Sequence, residues 1–433
     1  MARNILQNEL EVTLGHFADS VFGDKTKKKP FKKAALSLLF GIFRSGSTLV
    51  SDIVRALNPD ELEPPKELRE RCSEWLEQRD FTSSLNLWMK NRFLSGVKLD
   101  DGIAFDNSDI SKIYGGAGME GMEMGHDGSR SEPHMGHLFA AATLVPSCNV
   151  VPKPVYVKLQ KGKHGPLDLL KTAISTVMTA TESKPIGVID READAVDFIW
   201  WCIEKTYRMV IRVRHMKRDV AGTGQNVAQA LSDKPWRNIR LKRLSGDEQP
   251  AAVRHMVVQI DNPDKPKKNE RSEFRNLLLV ESRFNDKSLY FYVTLPESEF
   301  SDPAQLAHRA EQAAQLYMNR WQIEISFLRV KQDFGLEKAR VRTFKRLENL
   351  LFLCYLCHIF THFVLHGTDS FEKIVKVVKD NFRNVCLGAV AILGNIRALL
   401  GLRKVRFLTG RPPGRRRGRE AASCERQLIF SFV

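Results

Sequence analysis

Three acidic residues far apart in the chain, Asp106, Asp190 and Glu324, are the first candidates for chemistry. Asp106 follows the apolar run Gly102-Ile103-Ala104-Phe105, and Asp190 follows Ile186-Gly187-Val188-Ile189, so each is expected to terminate a strand. In an α/β sheet ligands gather at the carboxyl ends of strands, which puts an Asp there in a position to face a site. Converging carboxylates suit Mg2+, a hard cation that keeps several waters and needs few protein ligands. Two such ions activate the attacking oxygen and stabilise the leaving oxygen when a phosphodiester is hydrolysed or exchanged. The same residues also fit plainer roles. Asp190 could cap the helix that follows it, either Asp could form a turn, and Asp109 or Asp194 stands close enough to be the ligand instead.

The third element is the stretch Leu316 to Lys331, LYMNRWQIEISFLRVK. At about 100° per residue, Tyr317, Arg320, Glu324 and Lys331 fall within one helical stripe roughly 60° wide. Beside it runs a stripe of Leu316, Ile323, Phe327 and Val330 that is expected to face the core, with Trp321 and Leu328 on the other flank. A Glu and cations between apolar neighbours become partly buried, where charge needs partners such as metal and phosphate. Taken alone, the spacing equally describes an ordinary salt bridge between Arg320 and Glu324 on a solvated helix, and that reading is the more common one.

The elements that would position these residues can be read from the periodicity. The first ninety or so residues are helical in pattern, from the basic stretch Lys25 to Lys33 through Leu57 and again around Trp75 to Phe93, with a charged linker at Asn58 to Arg71. Ser45-Gly46-Ser47 interrupts the pattern, as in a helix-turn-helix pair or a plain helical bundle. From about Val97 strand-like runs (Gly102–Phe105, Gly136–Val145, Val150–Leu159, Ile186–Ile189, Met209–Val213) alternate with helical ones (Leu167–Ala180, Ala195–Tyr207), which predicts an α/β core. The stretch Asp233 to Pro296 adds strand-like runs at His255–Ile260, Asn276–Val280 and Leu289–Thr294. Helix is predicted from Pro303 through Gln332, then at Leu347–Leu365 and Phe371–Leu400, before the basic segment Arg411–Arg419.

Composition narrows the class of partner. Across 433 residues, 67 Lys and Arg against 51 Asp and Glu give a formal charge of +16, a field that favours polyanions. A hydrophobic fraction of 43% suits a folded protein. The N-terminus shows no basic, apolar and cleavable succession, so no secretory signal is expected. Seven scattered cysteines (Cys72, Cys148, Cys202, Cys354, Cys357, Cys386 and Cys424) suggest reduced thiols and a cytoplasmic setting. Cys354-x-x-Cys357-His358 with His362 has the outline of a haem or zinc motif, but the stretch Leu350–Leu365 reads better as a buried core helix, being short for a membrane span.

The spacing Tyr317-x2-Arg320-x3-Glu324-x6-Lys331 resembles the Tyr-Arg-Glu-Lys signature of the insertion-sequence-four family of bacterial transposases, a group of the DDE class. Asp190-Arg191-Glu192-Ala193-Asp194 and Phe105-Asp106-Asn107-Ser108-Asp109-Ile110 are similar to the blocks around that family's second and first catalytic Asp, with Ser108 where Thr is frequent. The resemblance covers roughly Val97 to Arg346. It implies an α/β fold with an RNase H-like core interrupted by a β-rich insertion, between helical N-terminal and C-terminal regions. The expected division is a DNA-binding unit over 1–95, core over 96–220, insertion over 221–302, core with the Glu helix over 303–345, and a dimerisation region with a basic tail over 346–433.

By the same resemblance Asp106, Asp190 and Glu324 are catalytic and bind two Mg2+, for which Mn2+ could substitute. Tyr317, Arg320 and Lys331 would handle DNA phosphates, in some relatives through a hairpin intermediate. Arg212 resembles a DNA-contacting position, and Tyr290 lies in a strand similar to one that carries the ring on which a flipped base stacks. Alternating aromatic residues on a strand more often pack than stack. The implied partners are double-stranded DNA, as terminal inverted repeats and target, and a second copy of the chain, with no membrane and a cytoplasmic, nucleoid-associated location.

Overall fold

A computed structural model describes residues 2–23, 29–58, 63–112, 119–126, 133–145, 153–162, 165–220, 223–243, 246–263 and 273–361. The helix expected at Phe371–Leu400, the basic segment Arg411–Arg419, His362, and Cys148, Cys386 and Cys424 lie outside the described residues.

The chain opens with five helices: α1 (Ala2–Phe22), α2 (Lys29–Ser45), α3 (Val50–Leu57), α4 (Pro65–Gln78) and α5 (Thr82–Met89). The interruption expected at Ser45-Gly46-Ser47 is the α2–α3 turn, where Gly46 adopts φ +62°, a conformation that costs a residue with a Cβ. Then follow β1 (Gly102–Ser111), β2 (Glu123–His126), β3 (Pro133–Val145), β4 (Lys153–Leu159), α6 (Pro166–Ala180), β5 (Ile186–Ile189), α7 (Val196–Glu204) and β6 (Met209–Arg212). Short pieces β7 (Asp219–Val220), β8 (Gln225–Asn226) and α8 (Val227–Ala230) lead to β9 (Arg237–Lys242), β10 (Glu248–Asp261), β11 (Phe274–Phe284) and β12 (Lys287–Thr294). The described part ends with α9 (Pro303–Asn319), α10 (Gln322–Gln332) and α11 (Phe344–Ile359).

One large mixed sheet organises these elements, in the order β2-β3-β1-β5-β6-β12-β11-β10-β9, with β4 also on β3. β3 runs against β1 along its whole length, β5 lies parallel to β1, and β6 lies parallel to β5. The strands from the stretch 221–302 continue this sheet, because β12 pairs antiparallel with β6 from Phe291↔Arg212 to Thr294↔Met209. The result is a mixed α/β fold.

Two cores cover the two faces. On one face Ile103, Phe105, Ile189 and Ile211 pack with α6 and α7; on the other Ala104, Val188, Val210 and Phe291 pack with α9, α10, α11 and the N-terminal helices. α11 is buried along nearly its whole length, including Cys354, Cys357 and His358, as expected of a core helix. Asn349 ties it to the N-terminal helices, donating to the carbonyls of Leu76 (2.7 Å) and Arg79 (2.8 Å). The α2–α3 turn is likewise tied to the end of α10, since Thr48 Oγ1 donates to the Gly335 carbonyl at 2.7 Å. Among the described residues no single helix is long and apolar enough to cross a membrane.

Two sequence expectations need correction. Strand β1 does not stop at Phe105: it pairs with β3 through Ser111, so Asp106 sits in mid-strand. Its role as an end is taken by β5, only four residues long, whose ladder with β1 finishes at Ala104↔Val188. The helix predicted from Pro303 through Gln332 is broken at Arg320-Trp321, where Arg320 N–H bonds to the Tyr317 carbonyl and Ile323 N–H to the Arg320 carbonyl, a three-residue pinch in the four-residue ladder. No Gly or Pro marks this break in the sequence. The N-terminus of α9 is well marked, however: Asp302 accepts from Ala304 N–H (2.9 Å) and Gln305 N–H (3.3 Å), with Pro303 at the first helical position.

Burial pushes His358 down to about 3. Below about pH 6.5 the unfolded chain protonates this ring while the folded chain does not, so the unfolded state binds more protons and stability falls as pH falls toward 3; above about 6.5 the ring adds no pH dependence. Between about pH 7.5 and about pH 5 this amounts to about 2 kcal/mol. His358→Met should lose about that much less stability than the wild type over the interval, read from urea unfolding of both proteins at both pH values. Equal losses would show that the ring does not stay neutral in the fold.

Candidate active site

Strand parity delivers the candidate residues to one face. Ala104 and Ile110 of β1, Ile186 and Val188 of β5, and Val210 of β6 belong to the core that holds α9 and α10, and Asp106, Asp190 and Arg212 share their parity. Because β5 ends at Ile189, the backbone beside Asp106 opens there, and Asp190 emerges from the end of the neighbouring strand.

Opposite them, the α9–α10 break presents Arg320. Its guanidinium donates to Asp106 Oδ2 at 2.9 Å, forms a short contact with Glu324 Oε1, and lies 3.9 Å from Asp190 Oδ2. The three acids predicted from distant parts of the chain therefore meet around a single side chain. Arg320 is only 6% exposed, whereas Asp106, Asp190 and Glu324 retain 20%, 27% and 32%, so the carboxylates line the outer side and the guanidinium lies within them.

Tyr317 and Arg212 complete the group. The Tyr317 hydroxyl donates to Asp190 Oδ1 at 2.8 Å and lies 3.2 Å from Arg212 Nη1, which also approaches Asp190 Oδ1 at 3.5 Å. The Tyr317 ring is seated on Phe291 of β12, with centroids 4.8 Å apart, so the far strands of the sheet help to aim this hydroxyl. Lys331 stands one step away: its ammonium bonds Asp109 Oδ1 at 3.1 Å and approaches Glu337 at 3.7 Å.

These contacts bear on the alternatives left open by the sequence. Asp190 makes no side-chain capping bond, although the residues after it form a short 3-10 turn. Asp194 is spent elsewhere, accepting from the backbone N–H groups of Arg214 (2.6 Å) and His215 (2.9 Å) and pairing with Arg218 at 2.5 Å. Arg320 and Glu324 do form the i,i+4 pair of the plainer reading, but the Arg is buried and serves two further acids.

Tyr290 is not brought to this group. It has the parity of Tyr292 and packs on the opposite face of the sheet, where its hydroxyl donates to the buried Glu281 at 2.9 Å. The aromatic residue of β12 that reaches the site side is Phe291; strand alternation separates it from Tyr290, and the packing of the sheet sets which face each takes. The sequence reading also missed the clamp that holds the start of α9 to the sheet. There Glu299 binds both Arg208 (2.7 Å) and Arg309 (2.9 Å), and Arg309 reaches Asp100 at 2.6 Å.

The charges in the group are mutually dependent. Burial pushes Asp106 up to about 7, with Arg320 pulling against it and the neighbouring Glu324 and Asp190 adding to it. Burial acts on Asp190 as well, but Arg320, the Arg191 N–H, the Tyr317 hydroxyl and Arg212 together hold it below the usual carboxylate range. Glu324 is raised by burial despite Arg320. Three carboxylates thus face two guanidinium groups, and burial favours the neutral form of two of the three acids; the oxygen donors are of the kind that fits a divalent cation. As arranged, no cluster of three His, Cys, Asp or Glu side chains among the described residues is set to hold one ion, since the acids point at Arg320.

Residues 154–360, which include Asp190, Tyr317, Arg320, Glu324 and Lys331, match the family model of the transposase DDE domain; Asp106 precedes the matched stretch. The protein is an enzyme of the DDE transposase class. Among solved structures the chain is similar to a piggyBac transposase, seen by cryo-EM in its synaptic complex with hairpin DNA. That similarity has 10% identity and a TM-score of 0.39 over 92% of this chain and 79% of the other. No curated protein matches the chain.

Since Glu324 is raised in the fold, its ionised form opposes folding, and a neutral isostere relieves that cost. Glu324→Gln should melt, free of metal, at the same temperature as the wild type or higher. A midpoint lower by more than about 2 °C would show that attraction to Arg320 outweighs burial and repulsion.

Proposed function

We propose that this transposase cleaves DNA at the ends of a mobile element and joins the freed ends to target DNA, with Asp106, Asp190 and Glu324 as its catalytic carboxylates. The observation that carries the reading is the meeting of these three acids, separated by more of the chain than any local motif spans, around Arg320. They would hold two Mg2+, with Mn2+ as a substitute. Bound there, the metal supplies Lewis acidity that activates the attacking oxygen and neutralises the leaving one.

The protein's own residues then have distinct tasks. Asp190, gripped by Tyr317 and Arg212, is the most firmly aimed of the three acids. Arg320, Arg212 and Lys331 supply positive charge where a phosphoryl group gains negative charge on the way to its transition state. The Tyr317-Arg320-Glu324-Lys331 spacing supports assignment to the insertion-sequence-four family, and a hairpin route for second-strand release belongs to that assignment. The strand order β4-β3-β1-β5-β6, in which only β3 runs against β1, supports an RNase H-like core, with β9 to β12 as the insertion.

The formal charge of +16 supports double-stranded DNA, as terminal repeats and target, as the partner. In the N-terminal unit α2 and α3 meet at 99°, within the helix-turn-helix range, which supports duplex recognition there. A homodimer would handle two ends together by symmetry.

DNA carrying the terminal inverted repeats that bracket the gene is the substrate for the test. With Mg2+ the wild type should nick at the repeat ends, while Asp106→Asn, Asp190→Asn and Glu324→Gln should each reduce nicking by about 1,000-fold or more and keep DNA binding. Undiminished nicking by any one of them would remove that residue from the triad.

A further inference from the structure

Arg320 differs in what holds it from three other acid-bound arginines among the described residues. Arg309 is shared between Glu299, Asp100 and the Gln312 side chain; Arg254 pairs with Glu281 and also donates to the Ser232 carbonyl; Arg218 pairs with Asp194 and also donates to that residue's own carbonyl. Each of these arginines joins an acid to a further group of the framework. The Arg320 guanidinium bonds to carboxylates alone, Asp106 and Glu324 directly and Asp190 at longer range. Its Nε is buried and has no hydrogen-bond partner among the described residues, and the face of the Tyr317 ring lies 5.5 Å away.

The oxygens it occupies are the ones a metal would need. Asp106 Oδ2 is turned to Arg320, and Oδ1 is taken by the Asn107 N–H at 2.9 Å. Glu324 Oε1 is likewise turned inward, and Asp190 Oδ1 is shared by Tyr317 and Arg212. A cation arriving from solvent therefore meets carboxylates whose inward lone pairs are engaged and whose charge is partly cancelled by a guanidinium behind them. Coulomb repulsion between that guanidinium and a divalent ion a few ångströms away opposes binding even with strong screening.

Resting on the assignment of these acids as the metal site, we infer that Arg320 is a built-in counter-ion that occupies the carboxylate cluster in the DNA-free protein and suppresses divalent-metal binding there. The arrangement keeps three like charges together when no ion is bound, and it makes metal loading depend on the guanidinium turning to another anion. A DNA phosphate brought against Arg320 would provide one.

Mn2+ binding, followed by loss of the free-ion electron paramagnetic resonance signal without DNA, distinguishes this role from a supporting one. Arg320→Gln should bind Mn2+ roughly tenfold or more tightly than the wild type. Arg320→Lys keeps the charge but cannot span three carboxylates, so it should fall between the two. If only the Lys variant folds, its order against the wild type decides the matter. Equal or weaker binding by the substituted proteins would overturn the inference and make Arg320 an organiser of the site, while the triad stands if Asp106→Asn and Glu324→Gln weaken binding. If those two bind Mn2+ as the wild type does, the metal-site assignment fails and the inference fails with it.

Discussion

Everything at this site follows from the cost of holding three carboxylates together. Burial disfavours the ionised forms of Asp106 and Glu324, and the like charges beside them add to that cost, so both are displaced upward. Arg320 makes the cluster tolerable by placing a fixed, planar, always-charged group among all three. The same guanidinium that permits assembly leaves the balance incomplete, and that residual negative charge is what a divalent cation or a well-placed phosphate can use.

The scaffold meets this constraint with simple devices. A four-residue β5 ends early, which opens the edge of β1 at Asp106 and releases Asp190 at the same level. Strand alternation sends Asp106, Asp190 and Arg212 to the face covered by α9 and α10. The pinch at Arg320-Trp321 then separates the helix carrying Tyr317 from the one carrying Glu324, so that both reach the same acids from slightly different directions. The clamp of Arg208, Glu299 and Arg309 anchors α9 at its far end, and Phe291 supports Tyr317.

The N-terminal helices share in this positioning. They pack in the same core as α9, α10 and α11, and the buried Asn349 and Thr48 contacts tie them to α11 and to the turn after α10. A shift of α2 or α3 would therefore be felt at the turn after α10 through shared packing and the buried Thr48–Gly335 hydrogen bond.

Much of this was legible in the residues themselves. Apolar runs ending in Asp106 and Asp190, the Tyr317-Arg320-Glu324-Lys331 spacing and the alternation of strand-like and helical periods are local properties, and local properties survive in a linear text. The helix start at Asp302-Pro303 and the core character of Leu350–Ile359 were readable for the same reason. What the tertiary structure alone decided were the relations between distant segments. Where β1 ends depends on its partner β3, not on its own composition, so Asp106 proved to lie in mid-strand. Tyr290 and Phe291 are adjacent in sequence, and only the sheet's orientation assigns Phe291 to the site and Tyr290 to the far face. Asp194 was indistinguishable from Asp190 until Arg218 and two backbone N–H groups claimed it. That Arg320 belongs to three acids rather than one could not be read from an i,i+4 spacing, because the other two partners arrive from strands more than a hundred residues away.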